Sequence, residues 1–375
     1  MKFFIINTDY EDFIEKDMTK NPKVKNESFE EQLQHRYDTL FGISNFYSKN
    51  LKQLGHEAID IIINHSYIQK QWAIENNVDL DKSHFQYIPY IRRYFKGSWM
   101  EKILEAQINK YKPDIIYNMA METIGSKFFR KIKAKQKNIK IIGQHAAPIT
   151  PSMNDLSAYD LILSSLPNYA LHFKKNGVNS EYFKLGFESE LILPILKTRS
   201  IKNDVVFIGG IGGPHSRGTM ALEGVAKEIP QFKVWSLGIE NTDKSSFLYK
   251  RYQGGPLFGK EMFEEIYNSK IVINRHIDIA ENYANNMRLY ESTGVGTLLI
   301  TDQKNNLSDI FKIGEEIETY NSKEELIEKI KFYLKNEPSR TQIARAGQER
   351  TLKDHTYRKR MQELIEIINR NFYIK

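Results

Sequence analysis

Residues 285–302 read Asn-Asn-Met-Arg-Leu-Tyr-Glu-Ser-Thr-Gly-Val-Gly-Thr-Leu-Leu-Ile-Thr-Asp. The passage spells a short helix that ends at Gly294, a tight turn and a buried strand. A helix N-terminus presents unpaired N–H groups and positive partial charge, which suits a phosphate. Asn285, Asn286 and Arg288 fall in that first turn, where a diphosphate would gain most. Glu291 lies one turn further on, and a carboxylate there can take both hydroxyls of a ribose through its two oxygens. The same spacing also suits an i, i+3 ion pair between Arg288 and Glu291. Spacing alone leaves both readings open.

Outward from this passage, short apolar runs alternate with amphipathic stretches, the pattern of a parallel sheet flanked by helices. Towards the N-terminus of the same series, strands are expected at 204–208, 233–237, 271–274 and 297–301, with helices at 219–229, 259–268 and 286–293. An earlier series places strands at 3–7, 58–63, 115–118, 140–143, 161–164 and 182–185, with helices at 37–54, 99–111, 126–136 and 167–176. Residues 10–34 are polar without clear period and read as a long loop. The polar, basic segment 196–203 separates the two series. The α/β architecture implied is two Rossmann-like, doubly wound domains, residues 1–199 and 200–375, facing a central cleft. Helices of the C-terminal tail pack back on them: Ser322 and Glu325 have capping-box spacing, Pro338 breaks the helix that follows, and further helices run over 339–353 and 357–371.

Bulk composition agrees. A chain of 375 residues exceeds the roughly 100–200 of one domain. Hydrophobic residues at 41% and aromatics at 12% suffice for two cores. Lys plus Arg is 54 and Asp plus Glu 47, so the net charge is 54 − 47 = +7, which favours an anionic partner. The positive residues are dispersed and accompany no recognition motif, so nucleic acid is not expected as a partner. With 0 cysteines, disulfides, thiolate metal sites and Cys nucleophiles are excluded. The apolar start is too short for a signal segment, and no run approaches the roughly 20 apolar residues of a membrane span. A cytoplasmic protein is expected, with peripheral membrane contact left open.

Three further places carry candidate chemistry. Gly209-Gly210-Ile211-Gly212-Gly213 follows a strand, and Arg217 comes shortly after. Gly210, Gly212 and Gly213 let backbone N–H groups approach a diphosphate, and Arg217 adds charge; a plain tight turn is the alternative. The run is not a dinucleotide fingerprint, because His215 stands where the third glycine belongs. Arg275 and His276 follow the strand 271–274, at the edge where open α/β sheets bind ligands. They suit either phosphate and sugar contacts or a structural role. His145 holds a similar position in the first half, as a base, an acceptor contact or a structural histidine.

From about residue 259 to 367 the chain closely resembles the C-terminal domain of the spore-maturation-protein-type (CgeB-like) glycosyltransferases, relatives of the retaining GT-B group. The resemblance rests on Gly259-Lys260-Glu261-Met262, Ser269-Lys270-Ile271-Val272-Ile273-Asn274, Asn286-Met287-Arg288-Leu289-Tyr290-Glu291, Gly314-Glu315-Glu316-Ile317, Ala346-Gly347, Arg350 and His355-Thr356-Tyr357-Arg358-Lys359-Arg360. It implies a GT-B fold and a nucleoside diphosphate sugar as co-substrate. It implies no further cofactor, no obligatory metal, and transfer with retention to a hydroxyl of an unidentified glycan, lipid-linked or protein acceptor. Glu291 matches the second glutamate of the paired-glutamate pattern, which binds the donor ribose. The first glutamate falls at Tyr283, with Glu281 nearby as a shifted substitute. Gly210, Gly212, Gly213, Arg217, Arg275, His276, Asn286, Arg288 and Glu291 are thus the expected donor site, and His145 and Glu281 the catalytic candidates. Two rival readings share the fold: a sugar-nucleotide epimerase and a catalytically silent nucleotide-binding module.

Overall fold

Strands buried on both faces need near-continuous apolar runs, and these form parallel sheets. The computed structural model describes residues 1–80, 92–212, 216–284 and 286–373. Within Met1–Tyr182, one of two compact units, lie β1 (Lys2–Asn7), β2 (Glu57–Ile62), β3 (Ile115–Asn118), β4 (Lys140–Gln144), β5 (Leu161–Ser164) and β6 (Ser180–Tyr182). They form one parallel sheet in the order β2-β1-β3-β4-β5-β6. Its core gathers Phe4, Ile6, Ile116 and Ile141 from the strands with Leu104, Ile108, Phe129 and Ile132 from the helices.

The second unit, Phe183–Lys375, holds β7 (Asn203–Gly210), β8 (Phe232–Leu237), β9 (Tyr252–Gly254), β10 (Ser269–Asn274), β11 (Leu298–Asp302) and β12 (Glu318–Tyr320). The order β9-β8-β7-β10-β11-β12, all parallel, is the doubly wound Rossmann arrangement. Strand order reverses between β7 and β10, and the crevice outside the carboxyl ends at such a reversal is where ligands bind. Val205, Ile271, Ile273, Leu298 and Ile300 bury against Leu222, Val225, Leu326 and Ile330 of the flanking helices.

Several expectations need correction. Residues 10–34 are not a loop: helices Glu11–Lys20 and Phe29–Asp38 flank a 3-10 turn. The second helix starts at a complete capping box, with Ser28 accepting from the Glu31 N–H and Glu31 accepting from the Ser28 N–H. The single helix expected over 37–54 is broken by left-handed backbone at Leu40, Gly42 and Ser44, and resumes as Phe46–Gln53. The strand placed at 182–185 is β6, ending at Tyr182. The three-residue strands β9 and β12 carry too little pattern to be read. At Ser322 only half of the box forms: its hydroxyl accepts from the Glu325 N–H, but the Glu325 carboxylate accepts from Asn321.

The compact units divide after Tyr182, whereas 196–203 read as the separator. Residues 183–199 hold to the second unit through specific bonds. The Phe187 N–H donates to the His355 carbonyl at 2.9 Å, and the Tyr357 N–H returns to Phe187 at 3.0 Å. Arg199 donates to the carbonyls of Gly296 (2.8 Å) and Ser269 (3.1 Å) and to the Thr297 hydroxyl (3.1 Å). No helix of the described residues is long and apolar enough to cross a membrane.

Candidate functional site

The carboxyl ends of β7 and β10 gather most of the expected donor residues. β7 runs out through Gly209 and Gly210 into Ile211 and Gly212, the last with φ +74°, a conformation glycine adopts without strain. The Ile211 N–H is held by the Leu237 carbonyl at 2.9 Å, so this exit loop follows the end of β8. Gly213 lies outside the described residues, as do His215 and Asn285. Arg217 is in the first turn of the helix Ser216–Glu228, which begins directly beyond this loop.

Arg275, the first residue after β10, turns back towards β7. Its Nη2 donates to the Gly210 carbonyl at 2.7 Å, and the guanidinium lies over the Phe207 ring, 5.6 Å from its centroid. It is 7% exposed, and its Nε and Nη1 are buried without a protein partner. Burial lowers its pKa from the ordinary guanidinium value, yet an arginine stays charged at neutral pH. A buried cation with idle donors is costly unless something anionic arrives. The berth exists because residue 218 is glycine: a Cβ there would meet the Arg275 Cδ and come within 2.5 Å of Nη1.

His276 is wholly enclosed. Its Nδ1 stands 2.7 Å from Asp302 Oδ1 at the end of β11, and its own N–H donates to the same oxygen at 3.0 Å. Burial opposes ionisation of Asp302, but the hydrogen bonds from His276 and Lys304 and the charge of Lys304 hold its carboxyl below the ordinary value. Lys304 pairs with Asp302 at 3.2 Å and donates to the Glu281 carbonyl at 2.6 Å. His276 Nε2 is buried with no protein partner.

The loop after β10 is laced to the loop after β11. The Asn305 N–H donates to Asn282 at 2.8 Å, and the Asn306 side chain bonds both the N–H (2.7 Å) and the carbonyl (3.1 Å) of Ala284. Glu281, exposed at the tip, has φ +51°, a strained value for glutamate. Asn286 is spent on structure: its amide donates to the Asn274 side chain at 2.8 Å and to the Arg275 carbonyl at 3.1 Å.

The helix over 286–293 begins in fact at Arg288. There the ion-pair reading of Arg288 and Glu291 is realised at 2.9 Å, Nη1 lying off the line of a good hydrogen bond. Arg288 Nη2 also donates to the Ile208 carbonyl of β7 at 3.1 Å. Burial pushes the Glu291 carboxyl above its ordinary pKa, against the pull of Arg288. The pair therefore closes onto β7, within the set that holds Arg275. Sequence reasoning missed Asp302, Lys304, Phe207 and Gly218. Only Asp302 carried a readable signal, an acid closing a predicted strand.

His145 belongs to the first unit, just beyond β4. Its N–H donates to Leu163 at 3.0 Å, its ring stacks on Tyr169 at 6.3 Å, and its Nε2 is buried without a protein partner. Burial lowers its pKa, partly offset by bonds to the Ala147 and Pro148 carbonyls and by Glu122. Among the described residues, no three His, Asp or Glu side chains converge as a metal-binding group.

Residues 217–366 match the protein family described as "Glycosyl transferase-like". No curated protein matches the chain. Solved structures match it over its whole length. A sucrose-phosphate synthase from Thermosynechococcus elongatus aligns with a TM-score of 0.60 at 11% identity, covering 99% of both chains. The Anabaena protein HepE in complex with UDP-glucose aligns with a TM-score of 0.59 at 11% identity, over 99% of this chain and 100% of that one. The fold is GT-B. A putative UDP-N-acetylglucosamine 2-epimerase from Listeria monocytogenes shares it, with a TM-score of 0.54 at 12% identity over 99% and 96% of the chains. Within this GT-B chain, Arg275, His276, Arg288 and Glu291 all lie in the segment that matches the glycosyltransferase-like family.

Proposed function

We propose that this protein is a glycosyltransferase whose C-terminal unit binds a nucleoside diphosphate sugar and passes its sugar to a hydroxyl acceptor. The observation that carries the reading is Arg275, a buried cation with two idle nitrogens where the strand order reverses. A diphosphate beside it would complete the hydrogen bonding that the fold leaves open. When the glycosyl–oxygen bond breaks, negative charge grows on the departing diphosphate. Fixed positive charge from Arg275, Arg217 and Arg288 and the start of the helix Ser216–Glu228 would lower that barrier without a metal. Glu291 is assigned to the ribose hydroxyls and Glu281 to the sugar. Transfer with retention, and kinship with the spore-maturation type, rest on the likeness of residues 259–367. The Anabaena neighbour holds UDP-glucose, which makes a uridine donor the first to try.

The test is a calorimetric screen of UDP, GDP, ADP, CDP and dTDP against wild type, Arg275→Ala and Glu291→Ala. One nucleotide is expected to bind wild type, and Arg275→Ala to weaken it by about 10–100-fold. Glu291→Ala is expected to erase discrimination between the nucleotide and its 2′-deoxy form. Slow release of nucleotide from the matching sugar donor marks a transferase. Isomerised sugar would instead mark an epimerase, and a donor bound but left intact a silent module. Failure of every nucleotide to bind wild type overturns the reading.

A further inference from the structure

Two adjacent residues, Arg275 and His276, carry buried nitrogens without protein partners, and they differ in chemistry. Arg275 offers donors only, suited to phosphate. His276 is different because of what holds it. Asp302 Oδ1 already accepts the His276 backbone N–H at 3.0 Å, and its carboxyl is held ionised. An ionised carboxylate can only accept, so the 2.7 Å contact places a hydrogen on His276 Nδ1. With that hydrogen fixed on Nδ1, the lone pair of the neutral imidazole falls on Nε2, the atom left without a partner in a wholly enclosed side chain. Lys304, paired with the other Asp302 oxygen, keeps the carboxylate from turning away.

Resting on the donor-binding reading above, we propose that His276 Nε2 accepts a hydrogen bond from a hydroxyl of the donor's transferable sugar, and that Asp302 is the positioning residue that makes it an acceptor. Arg275 and His276 thus divide one ligand between consecutive residues of one strand end: anion on the first, hydroxyl on the second. The buried acceptor also sets specificity, since a ligand without that hydroxyl leaves Nε2 unpaired at a cost. Asp302 acts through the imidazole, as carboxylates do that fix a histidine's tautomer.

The proposal is tested on the full chain in two ways. Nitrogen-15 NMR of the histidine rings reads the tautomer directly: His276 is expected with hydrogen on Nδ1 in wild type, and with that preference lost in Asp302→Ala. Hydrogen on Nε2 in wild type overturns the proposal whatever binds. Calorimetry then compares the nucleoside diphosphate that binds wild type with its glucose-bearing form. The sugar form's advantage is expected to fall about tenfold in His276→Phe and in Asp302→Ala. His276→Gln, which keeps an acceptor, should recover part of it, while affinity for the plain diphosphate stays within about twofold. Equal loss for both ligands would show a merely structural role. No advantage of the sugar form in wild type would also sink the hydroxyl contact. Failure of every nucleotide to bind would instead fall on the donor-site reading, leaving the tautomer measurement standing.

Discussion

Gly218→Ala separates the helix from the cation it makes room for. Position 218 lies in the first turn of the helix Ser216–Glu228, where alanine is worth up to about 1 kcal/mol over glycine. The added methyl would stand 2.5 Å from Arg275 Nη1 and 2.8 Å from Nε, well inside contact distance. The guanidinium must shift out of this berth. It then forfeits its bond to the Gly210 carbonyl, about 1.5–3 kcal/mol for a charged donor, and the Phe207 face, about 0.5–2 kcal/mol. Net stability should fall by about 1–4 kcal/mol, within what a chain of this size tolerates. Diphosphate affinity should fall by about 10–100-fold, because one charged contact is lost. Titration calorimetry with inorganic pyrophosphate and with the preferred nucleotide measures the second effect, and thermal unfolding the first. Combination with Arg275→Ala is the decisive control. Once the guanidinium is gone, Gly218→Ala should cost no further affinity. Wild-type affinity in the single variant, or full additivity in the double, would refute the placement of Arg275 at the anion.

Three other outcomes follow from the packing of the two units taken singly. Asp60, buried in β2 and bonded by Ser48 and Tyr37, has its carboxyl pushed up to about 6, chiefly by burial. Its folded pKa exceeds the unfolded one, so its charge costs stability above about pH 6, and that cost disappears as the pH falls towards 4. Asp60→Asn should therefore stabilise the protein by up to about 3 kcal/mol at pH 8 and be nearly neutral at pH 4, read by urea unfolding at both values. A Cβ on Gly294 would come within 2.5 Å of the Phe187 ring, so Gly294→Ala should lower stability by about 1–3 kcal/mol. Phe187→Ala in the same chain should relieve part of that loss, and simple addition of the two would argue against the contact. Arg36 makes a bidentate pair with Asp9, at 2.6 and 2.5 Å, with both side chains buried in the first unit. Arg36→Ala strands that carboxylate and should cost about 3–5 kcal/mol in chemical denaturation.

Elements with strong periodicity were legible in the residues: β1, β3, β5, β7 and β10 sit within a residue or two of where apolar runs placed them. The helix Phe29–Asp38 was missed, although Ser28 and Glu31 hold its capping box in plain view, because the polar face around it masked the period. Gly210, Gly212, Arg275, His276, Asn286, Arg288 and Glu291 lie at the ends of β7 and β10 or on the short helix that closes onto β7; Gly213 lies outside the described residues. Their roles were less legible. Asn286 is a pin for Asn274, and Glu291 is paired with Arg288.

What the sequence determined by itself is the class of fold, since burial on both faces writes itself into continuous apolar strands and a 3.6-residue helical period. It also carried the match of residues 217–366 to the glycosyltransferase-like family, because order and spacing along a chain are one-dimensional facts. Tertiary structure alone decided which side chains are left wanting. That Gly218 makes room for Arg275, and that Asp302 turns His276 into an acceptor, depends on residues 57 and 26 positions apart. Such distances close only when parallel strands come into register, and no local pattern records which polar atom will be buried there without a partner.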